Sequence, residues 1–527
     1  MVDKSGREDY DKNMKTCPLR PILFLILLLL SAGSFAQPPA PPEMRAFWAD
    51  GYNDGYKRPE QVDTLLQRLH DAHCNAIFAQ MRKGGDAYYA SHYEPWAFDN
   101  PDHFDALAYL IQHAHAMQPP IAVHAWINTC AVGKGMHQPQ WHIAQLHPEY
   151  LSVNAKNNPD DNEAYKIDPG NPDAADWTFR IYLDVVRHYP VDGIHFDFVR
   201  YGRADWGYNP VSVARFQSRN RDRKEIERLP DSDLPTPKDA AWKQWRRDQV
   251  TALVRKVYAH ALRINPRVVV SAAVITWGDG PHQESDWYTK SAAMNRVYQD
   301  WRSWLQDGSI DLACPMTYFQ ASTATNYQKN WSEWIKNHQY KRAATVAVGT
   351  WMNTIPNSRA LLRIARSPSH KGRAPYGVLL YSYAGTNTSD QKDAAGHRKE
   401  LQYQPDFYNA LSQTASASGP NTVSSSAPVS GNAGQVSIDP PPFLTDVPIP
   451  SMAWKDHPKM GTVKGFVLTP RLDPTDGAEV TIGGHGRRWK CLTDGTGFYT
   501  VLNLPPGVYK ATVSAPGYAR QSATVKI

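Results

Sequence analysis

The sequence predicts an α/β fold, a (β/α)8 TIM barrel followed by a small C-terminal all-β sandwich, and three observations carry that expectation. Eight short apolar runs recur between Arg45 and Gly385, with amphipathic segments between them. Strands that alternate with helices pair in parallel, and eight such repeats close a barrel. The run from Val191 to Tyr201 is the most informative, because it brings a carboxylate and an arginine to its C-terminal end. That end is where barrel enzymes keep their chemistry. Beyond Gly461 the pattern changes to short alternating runs divided by Thr493-Asp494-Gly495-Thr496-Gly497 and Pro505-Pro506-Gly507, which reads as a sandwich.

The eight expected strands are Arg45–Asp50, Asn75–Met81, Ile121–Asn128, Gly193–Arg200, Val268–Ile275, Asp311–Phe319, Ala344–Trp351 and Gly377–Gly385. Helical periodicity falls on Pro59–Ala72, Phe104–Met117, Ala174–Tyr189, Ala241–Ile264 and Met294–Gln306. The barrel segment is longer than the ~250 residues typical of the fold. Long loops follow the third and fourth strands, at Cys130–Asp173 and Gly202–Lys238. In the sandwich, strands are expected at Val463–Leu468, Glu479–Ile482, Phe498–Leu502, Tyr509–Val513 and Ser522–Ile527.

The domain plan is a signal peptide at 1–36, a barrel at 37–411, a Pro/Ser/Gly-rich linker at 412–457 and the sandwich at 458–527. Lys15 and Arg20 precede the apolar run Ile22 to Leu30, and Ser34-Phe35-Ala36 offers a small-x-small cleavage site. That order is a secretory address, which predicts a periplasmic or extracellular protein starting near Gln37, translated from Met1 or Met14. Ser34 stands where a lipidated Cys would be needed, so no stable membrane anchor is expected. Cys74, Cys130, Cys314 and Cys491 are widely spaced and read as unpaired. The net charge of +6 is too dispersed for a nucleic-acid partner. With 17 Trp and 27 Tyr, the chain is rich in flat rings of the kind that stack on sugars. A polysaccharide substrate and a monomer are the expected partner and state.

Alternation along the fourth run puts His195, Asp197 and Val199 on one face and Ile194, Phe196 and Phe198 on the other. Asp192 and Asp197 cannot be an acid/base pair: five residues of strand set them about 16 Å apart on opposite faces. Glycosidic carboxyl pairs stand about 5 to 9.5 Å apart. Asp192 therefore reads as a turn residue and Asp197 as the chemical one. His124, Trp126 and Asn128 share a face of the third run, and Gln80 and Arg82 share one of the second. The loop from Trp277 to Trp287 holds Asp279, Glu284 and Asp286 and is the expected source of a proton donor, with Glu284 placed first. Trp206, Tyr318, Trp351 and Tyr383 are candidate sugar platforms; Trp48, His195, Arg200 and Trp277 complete the candidate substrate-binding set. No HExxH, CxxC pair, phosphate loop or GxSxG occurs, and His113 and His115 sit two apart on a helix. No metal and no cofactor are expected.

Several stretches together resemble the glycosyl hydrolase-like 10 family of bacterial envelope proteins. They are Glu43-Met44-Arg45-Ala46-Phe47-Trp48, His124-Ala125-Trp126-Ile127-Asn128, His147-Pro148-Glu149-Tyr150-Leu151, Ile167-Asp168-Pro169-Gly170-Asn171-Pro172, Asp192 to Tyr201, Asp300-Trp301-Arg302-Ser303-Trp304 and Leu380-Tyr381-Ser382-Tyr383. The resemblance implies a barrel acting on amino-sugar glycans of the envelope, such as peptidoglycan strands stripped of peptide. It also implies distant kinship to hydrolases of partly deacetylated poly-N-acetylglucosamine. In amylase-like barrels a similar Asp-Gly-x-x-x-Asp run puts the nucleophile at the position matching Asp197. Two stretches depart from the family pattern. Pro315-Met316-Thr317-Tyr318-Phe319 replaces Pro-Gln-x-Tyr-Trp, which removes a polar substrate contact, and Ser271-Ala272-Ala273-Val274 replaces Ser-Pro-Phe-Gly. A non-catalytic glycan-binding barrel is the alternative reading. The C-terminal segment resembles the carboxypeptidase regulatory-like, prealbumin-type domain through Thr493-Asp494-Gly495 and Leu504-Pro505-Pro506-Gly507-Val508-Tyr509.

Overall fold

The computed structural model describes residues 40–133, 140–160, 162–223, 225–392, 398–402, 405–413 and 440–527. The signal peptide expected at 1–36 lies outside the described residues. Eight parallel strands close a barrel in sequence order: β1 (Met44–Ala49), β2 (Ala76–Arg82), β3 (Ala122–Asn128), β4 (Gly193–Asp197), β5 (Val269–Val274), β6 (Leu312–Pro315), β7 (Ala343–Gly349) and β8 (Gly377–Tyr381). A hairpin of β9 (Gly385–Lys392) and β10 (Arg398–Gln402) follows. Alternation decides which side chains fill the bore. Met44, Ala46, Trp48, Phe78, Trp126, Leu312, Cys314, Ala347 and Leu379 pack inside. Phe47, Ile77, Val123, Ile194, Phe196, Val270, Val346 and Leu380 point out, against the helices.

Those helices form on one apolar stripe each, and several also have a capped start. Pro59–Asp71 buries Val62, Leu65, Leu66 and Leu69. The carboxylate of Asp105 accepts the Ala108 N–H at the head of Ala106–Ala116, and Asn171 and Asp239 cap Pro172–His188 and Ala240–Ile264 in the same way. Sequence and structure differ after the fourth and fifth strands. The fourth strand stops at Asp197 rather than Arg200, because Phe198 adopts a left-handed backbone with φ 48°. Val199 then turns into the outer core instead of sharing the face of Asp197. The single helix expected over Met294–Gln306 is two, Ala292–Asn295 and Trp301–Asp307, with Tyr298 at φ 58° between them.

The sandwich pairs β11 (Gly461–Phe466) with β14 (Phe498–Leu504). Opposite them lies a four-stranded sheet of β12 (Glu479–Gly484), β13 (Arg487–Leu492), β15 (Val508–Ser514) and β16 (Gln521–Lys526). β13 was not anticipated. It is an edge strand whose Arg487, Arg488 and Lys490 break apolar alternation, as charged edges do.

The second half of the expected linker, 440–456, is packed on the barrel floor. Phe443 is buried under the guanidinium groups of Arg45 and Arg366. Met452 joins the side chains inside the bore. Trp454 Nε1 and Lys455 Nζ reach the buried Asp311 carboxylate at 2.7 and 2.8 Å. Apolar burial plus a paired internal charge holds this strap where composition alone suggested loose chain. The sandwich rests on the outer helices: Arg215 and Arg219 both pair with Asp476, and Lys256 Nζ donates to Thr496 Oγ1 at 3.2 Å. Cys74, Cys130, Cys314 and Cys491 are free thiols. No helix among the described residues is long and apolar enough to cross a membrane.

Candidate active site

Asp197 is the last residue of β4, at the C-terminal mouth, in register with Asn128 of β3. It is 6% exposed. Its Oδ2 accepts the Trp126 indole N–H at 3.1 Å and its Oδ1 accepts the Phe198 N–H at 2.6 Å. The left-handed turn at Phe198 aims that N–H back at the carboxylate, a local strain of the kind found at functional sites. Desolvation pushes the Asp197 carboxyl pKa up, against the pull of the Phe198 N–H, the Arg200 charge and the Trp126 N–H. Asp192 stands at the other end of the strand, where its Oδ2 accepts from Val123 N–H and contacts His115 Nε2, in keeping with a turn role.

Below the mouth the polar residues of the bore support one another. His195 Nε2 accepts the Trp48 indole N–H at 3.1 Å, which leaves Nδ1–H to donate to Ser271 Oγ at 2.9 Å. Burial and the neighbouring His124 hold His195 neutral, its pKa well below the ordinary value. His124 stacks on Phe78 at 4.2 Å between ring centres, and burial lowers its pKa to about 4. It fits because residue 193 is glycine; a Cβ there would collide with His124 Nδ1. Trp48, His124 and His195 are thus the pillar under the site. Gln80 receives the Gly51 N–H and donates to Asn128 Oδ1, while Asn128 donates to the Lys83 carbonyl. These two amides tie the loops after β1 and β2 to the mouth. Arg82 is elsewhere: a register shift after Gln80 turns it into the wall, where it is fully buried, forked onto Glu94 and bonded to the Asn128 carbonyl.

The aromatic candidates divide. Tyr318 stacks on Tyr381 at 5.2 Å and meets Trp48 edge-on, so these rings form one wall of the mouth. Trp277 is 41% exposed and sits between the guanidinium groups of Arg200 and Arg296, at 5.6 and 5.5 Å. Trp351 is half-buried in the turn after β7. Trp206 is buried. Tyr383 belongs to the outer core with Phe47 and Tyr408, and its hydroxyl accepts from Arg68. The sequence placed Tyr383 at the end of the eighth strand, but β8 ends at Tyr381 and the chain turns outward.

The three carboxylates beyond β5 do not converge on Asp197. Glu284, 65% exposed, pairs with Arg302 and with His338, the residue that ends the helix Ala321–Asn337. That helix leaves the mouth after β6 and runs toward the floor, so Glu284 lies on the outer wall. Asp279 is bonded to His282 and to Asn330 of the same helix. Asp286 pairs with Lys290 at 2.9 Å and accepts the His282 N–H. The hydrogen bond from His338 lowers the pKa of Glu284, and that from His282 lowers Asp279. The hydrogen bond from Lys290 takes Asp286 down to about 2. A proton donor needs the opposite shift.

A different set of polar groups lies on the loops after β1 and β2. Tyr52 stands at the rim, its hydroxyl pKa raised to about 12 by desolvation and by Asp197, Asp50 and Asp86. Asp50 caps its own turn through the Tyr52 and Asn53 N–H groups. Asp86, 8% exposed, accepts the Gly84 N–H at 2.8 Å, and desolvation raises its pKa. It opens on a cleft of about 430 Å³ walled by Trp96, Phe98, His103 and Trp141. Sequence signals for it exist: Gly84-Gly85-Asp86 closely follows a strand, and the same loop carries Trp96 and Phe98.

Residues 43–361 match the glycosyl hydrolase-like 10 model, and residues 462–527 match the carboxypeptidase regulatory-like domain. The Bacillus subtilis (strain 168) protein named glycosyl hydrolase YngK is 25% identical over 356 residues, 62% of this chain and 65% of that one. The Escherichia coli (strain K12) protein named glycosyl hydrolase DigH is 27% identical over 303 residues, 52% of this chain and 62% of that one. The matches therefore span a little under two thirds of either relative. The PgaB (BpsB) glycoside hydrolase domain from Bordetella bronchiseptica aligns at 14% identity and a TM-score of 0.46, over 65% of this chain and 94% of that one. The family match covers more than half of the sequence, β1 through β7 and the mouth residues Asp197 and Asp86. The chain belongs to the glycosyl hydrolase-like 10 family.

Proposed function

We propose that the chain is an exported glycoside hydrolase that cleaves amino-sugar glycans of the bacterial envelope, of the denuded peptidoglycan or poly-N-acetylglucosamine type. The observation that carries the reading is Asp197: a buried carboxylate at the barrel mouth, fixed by two N–H donors, one of them Trp126, whose ring continues through Tyr381 to Tyr318. Arg200 favours its ionised form. Asp197 acts as nucleophile on the anomeric carbon, or as the carboxylate that orients water and stabilises the oxocarbenium-like transition state. Asp86 replaces Glu284 as the proton donor, because its raised pKa keeps a proton available for the leaving sugar oxygen. The glycosidic C–O bond breaks, the leaving oxygen takes the Asp86 proton, and water supplies the hydroxyl of the new reducing end. The rings around Asp86 form the platform for the sugars on that side.

The amino-sugar substrate rests on the family resemblance, and the relatives named glycosyl hydrolase support the reaction class. Export rests on Lys15, Arg20, the apolar run and Ala36. The working form is a soluble monomer acting on a polysaccharide. Incubation with peptide-free peptidoglycan strands and with partly deacetylated poly-N-acetylglucosamine tests the proposal. Released oligosaccharides are the expected result, and their masses and end groups identify the bond. Binding without any release favours the second reading, a non-catalytic glycan-binding barrel. The engaged state of Glu284, Asp279 and Asp286 is the observation in its favour.

A further inference from the structure

Away from the mouth, the long loop between β2 and the helix Ala106–Ala116 makes an excursion that touches the C-terminal end of the helix Pro172–His188. Three side chains meet there. Asp184 and His188 are one turn apart on the helix, and His92 comes from the loop. His92 Nδ1 lies 2.7 Å from Asp184 Oδ1, and His188 Nδ1 lies 2.9 Å from the same oxygen. The two imidazoles face each other at 4.4 Å between ring centres. One donor atom from each residue falls within 4.8 Å of the others.

We propose that His92, Asp184 and His188 bind a divalent transition-metal ion of the Zn²⁺ class. Two imidazole nitrogens and one carboxylate are the donor set of such ions, with bonds of about 2.0 to 2.2 Å. Donors around a tetrahedral ion stand about 3.3 Å apart, so the two histidine–aspartate distances would open by about half an ångström. The imidazole nitrogens, now within 4.8 Å, would settle at that spacing, and His188 Nδ1 would leave the Asp184 carbonyl it meets at 2.9 Å. Charge points the same way. Asp184 is 2% exposed, and among the described residues no Lys or Arg lies within ion-pair distance of it. A buried carboxylate faced only by two imidazoles lacks a permanent counter-charge, and a dication supplies one. The Asp184 carboxylate also accepts the His92 backbone N–H through Oδ2, which fixes the loop before any ion arrives. The ion would pin the same loop that carries Glu94, the partner of Arg82, and Trp96 and Phe98 of the cleft beside Asp86.

The test is calorimetric titration of ZnCl₂ into the chelator-treated full chain, beside MgCl₂, repeated with His92→Ala and His188→Ala. His92 and His188 lie on the surface, so both variants should keep the parent melting transition in the absence of metal. The expected result is saturable Zn²⁺ binding, at least about tenfold weaker in either variant. Zn²⁺ should also raise the melting temperature of the parent chain and not of the variants. Absence of saturable Zn²⁺ binding, equal affinity in parent and variants, or equally tight Mg²⁺ binding would each overturn the proposal. The readout is binding, so the outcome stands apart from whether the barrel cleaves glycans.

Discussion

Asp197 ends β4 and Glu284 lies in the segment that follows the adjacent strand β5, yet their surroundings are opposite. Asp197 is buried, met by two neutral N–H donors, and shifted toward its protonated form by desolvation. Glu284 is exposed, held by Arg302 and His338, and shifted toward its ionised form. The loop after β4 turns back over the mouth at Phe198, whereas the loop after β5 descends the outer wall along the helix Ala321–Asn337. The contrast teaches that position in the chain nominates a carboxylate, while burial and its partners decide which way its pKa moves.

The largest expected effect breaks the comparison directly. Asp197→Asn keeps the shape and the Trp126 contact and should lower turnover by at least ~10³-fold, about 4 kcal/mol of transition-state stabilisation. Near-normal turnover, measured with the folded variant, returns Asp197 to a structural role. Asp86→Asn should cost about 10²-fold or more, the usual scale of a general acid. The pH profile sharpens this point. Activity needs Asp197 ionised and Asp86 protonated, and both are displaced above the ordinary carboxylate range. Activity therefore falls as pH drops through the Asp197 value and falls again as pH rises through the Asp86 value. In Asp86→Asn the basic limb should vanish; a limb that persists assigns it to another group.

Trp277 belongs to the β5 loop but faces the rim. Trp277→Ala should raise KM roughly fivefold, about 1 kcal/mol of stacking, with kcat nearly unchanged. An unchanged KM places the indole outside the sugar path. Glu284→Gln is the smallest change: turnover within about twofold, and stability reduced by less than about 1 kcal/mol because the pair is solvent-screened. The loss should be confined to pH above the ordinary Glu value, since the lowered pKa stabilises the fold only where Glu284 is ionised in both states. A large catalytic defect here would restore Glu284 as the donor and end the contrast.

The barrel was legible because its signal is local. Two-residue alternation in β1 to β8 and one apolar stripe per helix fix which side chains face the bore, and they put Asp197, Trp126 and His195 on the inner face. The same alternation misplaced Arg82, Val199 and Tyr383, because a register shift, a left-handed Phe198 and the end of β8 each reset the count. Glu284 is favoured by the sequence because its loop holds three acids, whereas a lone Asp86 behind two glycines does not stand out. Composition also hid the strap at 440–456, since Phe443, Met452 and Lys455 gain burial and charge pairing only from the floor they cover.

The sequence by itself determined the barrel, the sandwich, the family and the place of Asp197 at the end of the fourth strand, since each is written in periodicity or in a short contiguous motif. Only the tertiary structure decided that Glu284, Asp279 and Asp286 are engaged with partners of their own, that Asp86 is buried beside an aromatic cleft, and that His92 meets Asp184 and His188 across 92 and 96 positions of chain. Those facts depend on where loops land, and loops are placed by long-range packing and hydrogen bonds that no local pattern encodes.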